Sequence, residues 1–480
     1  MSKGPKTRGR EDETTRRNGP HRALELARRP ALRRCLARPM LAALLVAIWS
    51  PVAVRAQVPP RVAADGTVAA DTGTVTYETG GIRVIQRQTA GDIAVANLYL
   101  LGGTRQVTWA NAGIEPFFLE ATERGTRSYP KDRLRRLMSR LGTGIVTDAD
   151  PDWTVLGIRA TRTTFDSTWA IFASRLMQPT LDTAEVELVR RQFLLGVSQR
   201  QDSPDALLEY LADSVAFAGH PYAIPPAGTE ASLSRITVAD LRAFQREQVV
   251  KSRMLLVVVG DIPRAKVERL VGLTLAKLPA GSYSWTLPDT LPRTKATSYA
   301  VDRSLPTNYI MGRYAGPRGG SKDYYALRIT AAVLAGQLFG EIRSRRNLTY
   351  AVDAPFVERA VAAGGFYVTT VQPELTVDLM RQQLAAVRTG MINEEALGRL
   401  VQQFLTQFYL DNESNTQQAD FLARSYLFEG DIRAVARFEQ QLRSVTPLDI
   451  QRAAQRYIRD VRWVYVGEAK KAPTRSFEKF

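Results

Sequence analysis

The amino-acid sequence predicts an α+β fold made of two tandem homologous domains, each a mostly antiparallel sheet packed with helices. Three observations lead to this prediction. The chain has 480 residues, which is more than a single hydrophobic core normally serves. Strand-like and helical segments are mixed in no regular βαβ order. Landmarks of the first half recur in the second half at a nearly constant spacing.

The elements of the first half follow from residue type. Runs rich in β-branched residues and bounded by glycine predict strands, namely Thr74–Tyr77, Ile82–Gln86, Ile93–Leu101 and Met254–Val259. Apolar residues at helical spacing predict helices, namely Gly113–Arg124, Lys131–Leu141 and most of the region from Ser167 to about Gln248. This irregular mixture favours an α+β domain.

The internal repeat depends on three landmarks that keep their order. Each landmark of the first half has a counterpart 207 to 211 residues later, and the pairs are Gln192 and Gln403, Thr237 and Thr446, and Gly260 and Gly467. The alternative to a repeat is a coincidental similarity between common helix and strand patterns. Because all three pairs keep nearly one spacing, we favour tandem domains of similar size.

Turn-forming residues indicate where the two domains separate. Pro279 to Ser282 and Leu287 to Pro292 form a segment rich in proline and turn residues, which is typical of a linker. The predicted organisation is a signal peptide at 1–56, a mature N-terminal segment at 57–72, an N-terminal domain at 73–278, a linker at 279–296, a C-terminal domain at 297–470 and a basic tail at 471–480.

The N-terminus has the order of a secretory signal peptide. A basic stretch ends at Arg38, the apolar run Met40–Trp49 follows, and Val54-Arg55-Ala56 is a small-residue cleavage site. An uncleaved membrane anchor is the alternative, but the apolar run is shorter than the roughly 20 residues that span a bilayer. The sequence therefore predicts an exported protein, periplasmic or extracellular, with no stable membrane insertion after cleavage.

Charge and rare residues exclude several function classes. The formal net charge is +17, but residues 1–56 contribute 13 Lys/Arg against 4 Asp/Glu. The remainder is only mildly basic, so no nucleic-acid partner is predicted. Cys35 and His21 lie in the leader, which leaves a mature chain without thiols and with His220 as its single histidine. Disulfides and cysteine chemistry are therefore excluded.

Four stretches share features with one enzyme family. They are Asn97–Gly103, Gly113–Thr126, Asp205–Gly228 with its His220-Pro-Tyr222, and Phe339–Tyr350 with its Phe-Gly-Glu-Ile-Arg and Leu-Thr-Tyr. The chain thereby resembles the insulinase/pitrilysin (inverzincin) family of zinc peptidases, which includes mitochondrial processing peptidase. The resemblance covers nearly the whole mature chain. It implies that both domains are peptidase-like and form half of a metallopeptidase clamshell.

The resemblance also shows which zinc ligands are missing. In active members a helix carries His-x-x-Glu-His, which places two imidazoles on one helical face with a glutamate beside them. Those positions fall at Pro116, Leu119 and Glu120, and the distal glutamate ligand falls near Gly196. One carboxylate cannot hold a catalytic zinc. No metal and no cofactor are therefore predicted in this chain.

The glutamates near this motif and the single histidine each have two interpretations that do not involve a metal. Glu115, Glu120 and Glu123 form either an acidic patch or a solvated or chamber-facing edge. His220 is either the base of a Ser/His/Asp arrangement or a structural histidine, and we favour the structural role.

The resemblance implies a substrate-binding role for Arg343 and Tyr350. In similar proteins an arginine and a tyrosine at this spacing approach the bound peptide and the metal site, where a guanidinium donates to peptide carbonyls and a phenol stabilises an oxyanion. The alternative is a surface arginine beside Arg345 and Arg346, with a tyrosine in the core. No catalytic residue is predicted in this chain itself.

The resemblance to bacterial heterodimers of this family implies the function. One subunit of such a pair carries the zinc motif and the other carries the arginine and tyrosine. We therefore expect a non-catalytic, substrate-binding subunit of an exported heterodimeric zinc metalloendopeptidase. Its partners are a zinc-bearing paralogous subunit and unfolded peptides, and the zinc is expected in the partner. The alternative is a scaffold or peptide-binding protein without peptidase activity, acting without an active partner.

Overall fold

The computed structural model describes residues 73–293 and 295–480. The predicted signal peptide at 1–56 and the segment at 57–72 lie outside the described residues, so export stays a prediction. Within the described ranges, no helix combines the length and the apolar character needed to cross a membrane.

A first sheet of six strands is formed by the first half of the described chain, in the order β1-β2-β6-β3-β5-β4. Its strands are β1 Thr74–Thr79, β2 Ile82–Arg87, β3 Ile93–Leu101, β4 Gly144–Ala149, β5 Trp153–Thr161 and β6 Met254–Val259. The pair β2 and β6 is parallel, and the other neighbours are antiparallel. The strands predicted from β-branched runs are therefore confirmed, and β1 and β4 are the edge strands.

Eight helices belong to the first half of the described chain, and several of them begin at a side-chain cap. They are α1 Ile114–Ala121, α2 Lys131–Leu141, α3 Phe165–Met177, α4 Thr183–Asp202, α5 Pro204–Ala216, α6 Glu230–Arg235, α7 Val238–Gln248 and α8 Arg264–Leu273. The Asp182 carboxylate accepts from two backbone N–H groups at the start of α4. Ser203 caps α5, whose first residue is proline. The side chains of Asp182 and Ser203 thus accept hydrogen bonds from helix N–H groups that have no partner within the helix, and a proline at the first position has no N–H that needs one.

A second sheet follows in the order β10-β11-β8-β12-β7, with β9 also paired to β11. Its strands are β7 Thr297–Asp302, β8 Asn308–Arg318, β9 Val352–Asp353, β10 Phe356–Val357, β11 Val361–Thr370 and β12 Arg462–Gly467. Its helices are α9 Lys322–Leu338, α10 Pro373–Thr389, α11 Glu394–Asp411, α12 Asn415–Glu429, α13 Ala434–Arg443, α14 Pro447–Tyr457 and α15 Thr474–Phe477. The pair β7 and β12 is parallel.

The two halves share one topology. In the first sheet β6 lies between a parallel β2 and an antiparallel β3. In the second sheet β12 lies between a parallel β7 and an antiparallel β8. The preceding helices α7 and α14 both begin with a capping box, formed by Thr237 with Asp240 and by Thr446 with Asp449. The predicted internal repeat and the α+β fold of two homologous domains are therefore confirmed.

Each half contributes one helix to the other half's sheet. Helix α5 packs Leu207, Leu208 and Ala212 against Met311 and Val464 of the second sheet. Helix α12 lies on β3 and β6 of the first sheet. There the Asp420 carboxylate accepts from the Tyr99 hydroxyl at 2.7 Å and from the Asn97 amide at 3.2 Å. The reciprocal packing joins the two sheets through buried side chains.

The segments predicted as linker and tail both pack against the second half. The linker forms no helix or strand, and the Trp285 indole donates to the Leu427 carbonyl at 3.0 Å. In the tail, Phe477 and Phe480 are buried against Trp463, each at a centroid distance of 4.8 Å. The basic C-terminus is therefore held by two aromatic side chains.

A pair of aspartates, Asp152 buried and Asp150 partly buried, joins the first half to the second. Asp152 accepts from the Tyr222 hydroxyl at 2.5 Å and from the backbone N–H of Ala360 at 2.8 Å. The Asp150 carboxylate accepts from the Asp152 N–H. Burial and the neighbouring Asp152 charge raise the pKa of Asp150 to about 7.

This raised pKa predicts a stability that falls as the pH rises. A carboxyl with a folded-state pKa near 7 favours folding while it is protonated, and it loses that contribution between about pH 4 and pH 7. We expect Asp150→Asn to flatten this dependence by about 1–3 kcal/mol between pH 5 and pH 8. Urea unfolding of both proteins at the two pH values measures it. An equal pH slope in the variant and the parent contradicts the prediction.

Candidate functional site

A close contact between two glycines positions the start of helix α1, and the proline in its first turn is compatible with the helix. Gly113 has φ 84°, and a Cβ there would lie 2.8 Å from the Gly228 Cα, so glycine is required on both counts. Pro116 is the third residue of the helix, where an N–H has no helical partner to lose. Pro116 therefore lies in the first turn, where a proline is compatible with the helix. The helix persists as a packing element.

The four positions that correspond to zinc ligands do not form a metal site. Pro116 offers no donor, and Leu119 is 0% exposed in the apolar core beside Phe117 and Phe118. Gly196 on α4 has no side chain, and a Cβ there would meet no atom within 4 Å. Among the described residues, no group of three or more His, Cys, Asp or Glu side chains is arranged to hold a metal. These residues do not fit a catalytic zinc.

The remaining candidate ligand, Glu120, is already engaged by a cation. The Arg124 guanidinium lies between α1 and α4, with Nη2 3.5 Å from Glu120 Oε1 and 2.6 Å from Gln192 Oε1. Gln192 lies one turn before Gly196 on α4. An arginine therefore bridges the two helices at the position where the resemblance would place a metal.

The three glutamates in and after this helix have different surroundings, because Glu115 is buried whereas Glu120 and Glu123 are partly exposed. Glu115 is buried, and its Oε2 lies 2.9 Å from Nη2 of Arg253, which is also buried. Glu123 lies 4.0 Å from the Arg175 guanidinium. For Glu115 both sequence interpretations were wrong. Its partner lies 138 residues away, at a distance in sequence where no local pattern signals a contact.

Tyr350 lies on the surface, which excludes the alternative of a core tyrosine. Its exposed fraction is 85%. The loop before it follows a π-helical turn, Phe339–Arg345, a form that is frequent at functional sites. Thr349 holds the loop by donating to the carbonyl oxygens of Ala351 and Thr369.

Arg343 differs from the two arginines beside it. Arg345 and Arg346 both pair with the Glu341 carboxylate. Within the described part of the chain, Arg343 forms no ion pair, and its guanidinium lies 5.0 Å from the centroid of the Phe339 ring, which is itself partly exposed. Neither Arg343 nor Tyr350 has a hydrogen bond to α1 or α4 among the residues described. In the described ranges, these two residues therefore have no hydrogen bond to the α1–α4 cluster, which consists of Glu120, Arg124 and Gln192.

His220 has a structural environment. Its Nδ1 accepts from the Tyr222 backbone N–H at 3.1 Å, and its ring lies edge-on to the Tyr222 ring at 4.8 Å. Burial lowers the pKa of His220. It caps a short turn and has no serine hydroxyl within hydrogen-bond distance in the described ranges, which supports the structural role.

Comparison with known families matches both halves of the chain. The sequence model of the insulinase family (peptidase family M16) matches residues 83–230. The sequence model of the peptidase M16 inactive domain matches residues 235–404.

Relatives and solved structures agree with this match. The chain is 23% identical to subunit 1 of the mitochondrial cytochrome b-c1 complex of Caenorhabditis elegans, over 85% of this chain and 91% of that protein. It is 21% identical to the beta subunit of mitochondrial-processing peptidase of Blastocladiella emersonii, over 79% and 85%. An uncharacterized zinc protease of Mycobacterium bovis is 24% identical over 56% of this chain and 64% of that protein.

Two crystal structures have the same fold. A peptidase M16 inactive domain from Pseudomonas fluorescens superposes with a TM-score of 0.76 at 19% identity, covering 82% of this chain and 98% of that one. A protease from Helicobacter pylori superposes with a TM-score of 0.75 at 19% identity, covering 82% and 99%. At this identity the likeness shows the fold alone.

Proposed function

The chain belongs to the insulinase family of peptidases, and we propose that it is a non-catalytic, substrate-binding subunit of an exported heterodimeric zinc metalloendopeptidase. Its fold is of the inactive type found in relatives of peptidase subunits. The zinc is carried by a paralogous partner subunit with the His-x-x-Glu-His motif. Export, pairing and peptide binding are all parts of this proposal.

One contrast within the chain supports the proposal above all others. The metal-ligand positions have become packing or empty positions, as at the buried Leu119 and at Gly196. In the second half, Tyr350 is exposed and Arg343 has no carboxylate partner among the described residues. A phenol and a guanidinium both donate hydrogen bonds, and the proposal assigns these donors to the bound peptide.

The proposed substrate is an unfolded peptide bound in an extended conformation. Strand β4 is an edge strand of the first sheet, and it lies against α1. An edge strand offers backbone N–H and C=O groups to which a peptide adds as a further strand. The exposed Val146 on β4 supplies an apolar contact for its side chains. Backbone pairing accepts many sequences, which suits a degradative or processing peptidase.

Reconstitution tests the proposal directly. The mature chain and a zinc-bearing paralogue from the same organism are purified, and hydrolysis of a mixed peptide pool is followed for each alone and for the mixture, with zinc present. We expect cleavage in the mixture at least 10-fold above the paralogue alone, because the second subunit positions the peptide. Co-elution of the two subunits in size-exclusion chromatography is the matched physical measurement.

Two outcomes contradict the proposal. The first is zinc-dependent cleavage of the peptide pool by the isolated chain. The second is a mixture no more active than the paralogue alone. Secretion is checked separately by N-terminal sequencing of the protein recovered outside the cytoplasm.

A scaffold protein of the same fold is the second candidate. It is favoured by the similarity to a cytochrome b-c1 complex subunit, which extends over 85% of this chain. As a scaffold, the chain is expected to co-purify with a stable assembly and to have no effect on peptide cleavage. Affinity purification from the native organism, followed by a peptidase assay of the recovered complex, distinguishes the two candidates.

A further inference from the structure

A recess outside the α1–α4 cluster has the features of an anion-binding pocket. Its volume is about 480 Å³, and it lies between the C-terminal part of α4, helix α5 and the start of α6. Its walls combine the apolar side chains of Val197 and Ala231 with polar and charged ones, among them Arg200, Gln201, Tyr210 and Glu230. Neither its charge nor its position is used by the proposed function.

Arg200 is the cation of this recess and is held without a counter-ion. Its guanidinium carbon lies 4.1 Å from the centroid of the Tyr210 ring, and Nη2 donates to the Gly228 carbonyl at 3.3 Å. The enclosed Nε has no acceptor among the residues the structure describes, and no carboxylate there pairs with Arg200. Burial lowers the pKa of Arg200. A partly buried cation with an unused donor is stabilised by an anion from outside.

The chemistry of the walls favours a carboxylate with a single charge. A guanidinium held against an aromatic ring presents its donors in a plane, which matches the two oxygens of a carboxylate. The exposed Glu230 at the rim disfavours a multiply charged ligand such as phosphate. The exposed Ser234 and Gln201 are further donors, and Val197 accommodates an adjacent apolar group.

The recess lies near the start of α1, the helix that contacts the edge strand β4 to which the peptide is proposed to add. Arg200 is one turn beyond Gly196 on α4, and Gly228, whose carbonyl accepts from Arg200, packs against Gly113 at the start of α1. We propose that this recess binds one carboxylate of the peptide substrate, with Arg200 as the anion-binding group and Tyr210 as the residue that holds its guanidinium in place. This inference rests on the proposed peptide-binding function and adds a preference for acidic groups.

The test uses matched peptides and the full mature chain. Fluorescence anisotropy measures the Kd of one labelled peptide with a free C-terminal carboxylate or a C-terminal amide, and of a second pair with an internal Asp or Asn. We expect the acidic member of one pair to bind about 10-fold more tightly, since a charge-assisted hydrogen-bonded pair contributes roughly that much. The pair that responds identifies whether the carboxylate is terminal or from a side chain.

The variants distinguish carboxylate binding in this recess from non-specific attraction to the positive charge of the chain. Arg200→Gln is expected to reduce the 10-fold preference to about 1-fold, and Arg200→Lys to leave an intermediate value because lysine lacks the planar donors. Arg191→Gln removes the same charge from an exposed position on the same helix and is expected to leave the preference unchanged. Thermal melting checks that each variant is folded.

Each result decides the inference. A preference that persists in Arg200→Gln, or that is lost equally in Arg191→Gln, overturns it. Equal binding of acidic and neutral peptides overturns the acidic preference and leaves the proposed function intact. If no peptide binds, alone or with the zinc-bearing partner, both are overturned. If Arg200→Gln does not fold, two other measurements replace it. They are the ratio of Kd values for neutral and acidic peptides in Arg200→Lys, and the loss of that ratio in the parent chain at raised salt.

Discussion

Tyr350→Phe is expected to lower the kcat of the reconstituted heterodimer by about 100-fold, the size found when one oxyanion donor is removed. The change deletes only a hydroxyl from a side chain that is 85% exposed. The melting temperature of the chain is therefore expected to stay constant. A fall in kcat without a loss of stability is the signature of a group that acts on the substrate.

Arg343 is expected to affect substrate binding more than turnover. Arg343→Ala removes hydrogen bonds to peptide carbonyls, so KM is expected to rise about 10-fold. Arg345→Ala is the control, because Arg345 pairs with Glu341 and is exposed. Steady-state kinetics with one fluorogenic peptide measure all three variants. Unchanged kinetics in both Tyr350→Phe and Arg343→Ala, or equal losses in Arg345→Ala, would exclude the assigned role.

Glu115→Ala is expected to lower the free energy of unfolding by about 3–5 kcal/mol, since it leaves a buried guanidinium without its counter-ion. Arg253 is buried, and its Nε donates to the Leu101 carbonyl at 2.8 Å. This hydrogen bond to the backbone holds the Arg253 side chain in place, so the guanidinium cannot turn to solvent when the Glu115 carboxylate is removed. Urea unfolding at neutral pH measures the loss.

An exposed ion pair of the same type gives the control. Arg264 and Glu268 pair at 2.7 Å on the surface of α8, and Glu268→Ala is expected to cost less than about 1 kcal/mol. The double variant Glu115→Leu with Arg253→Met is expected to recover most of the stability, because it replaces both charges by apolar groups. A loss below 1 kcal/mol in Glu115→Ala, equal to that in Glu268→Ala, would contradict a structural role for the buried pair.

Several features of the fold were predictable because they are local. The strands at 74–79 and 93–101 follow from β-branched runs between glycines, and their predicted bounds agree with the structure within two residues. The repeat was visible because Thr237 and Thr446 each cap a helix that precedes a buried strand. The absence of donor atoms at Pro116, Leu119 and Gly196 needs only residue identity.

Features that depend on distant contacts were not predictable. The exposure of Tyr350 decides between a surface role and a core role, yet tyrosine is common in both environments. The reciprocal packing of α5 and α12 joins residues far apart in sequence, such as Tyr99 and Asp420. The same holds for the recess at Arg200, whose walls come from three helices.

The sequence by itself determined the elements, the tandem repeat and the missing zinc donors of this protein. The elements and the missing donors depend on residue type and local spacing, where backbone preference and side-chain chemistry act directly. The repeat depends on similar local patterns that recur 207 to 211 residues later. Only the tertiary structure decided the burial of Glu115 with Arg253 and the enclosure of Arg200 without a carboxylate partner among the described residues. Burial and charge pairing are set by which distant side chains meet, and sequence spacing does not encode those meetings.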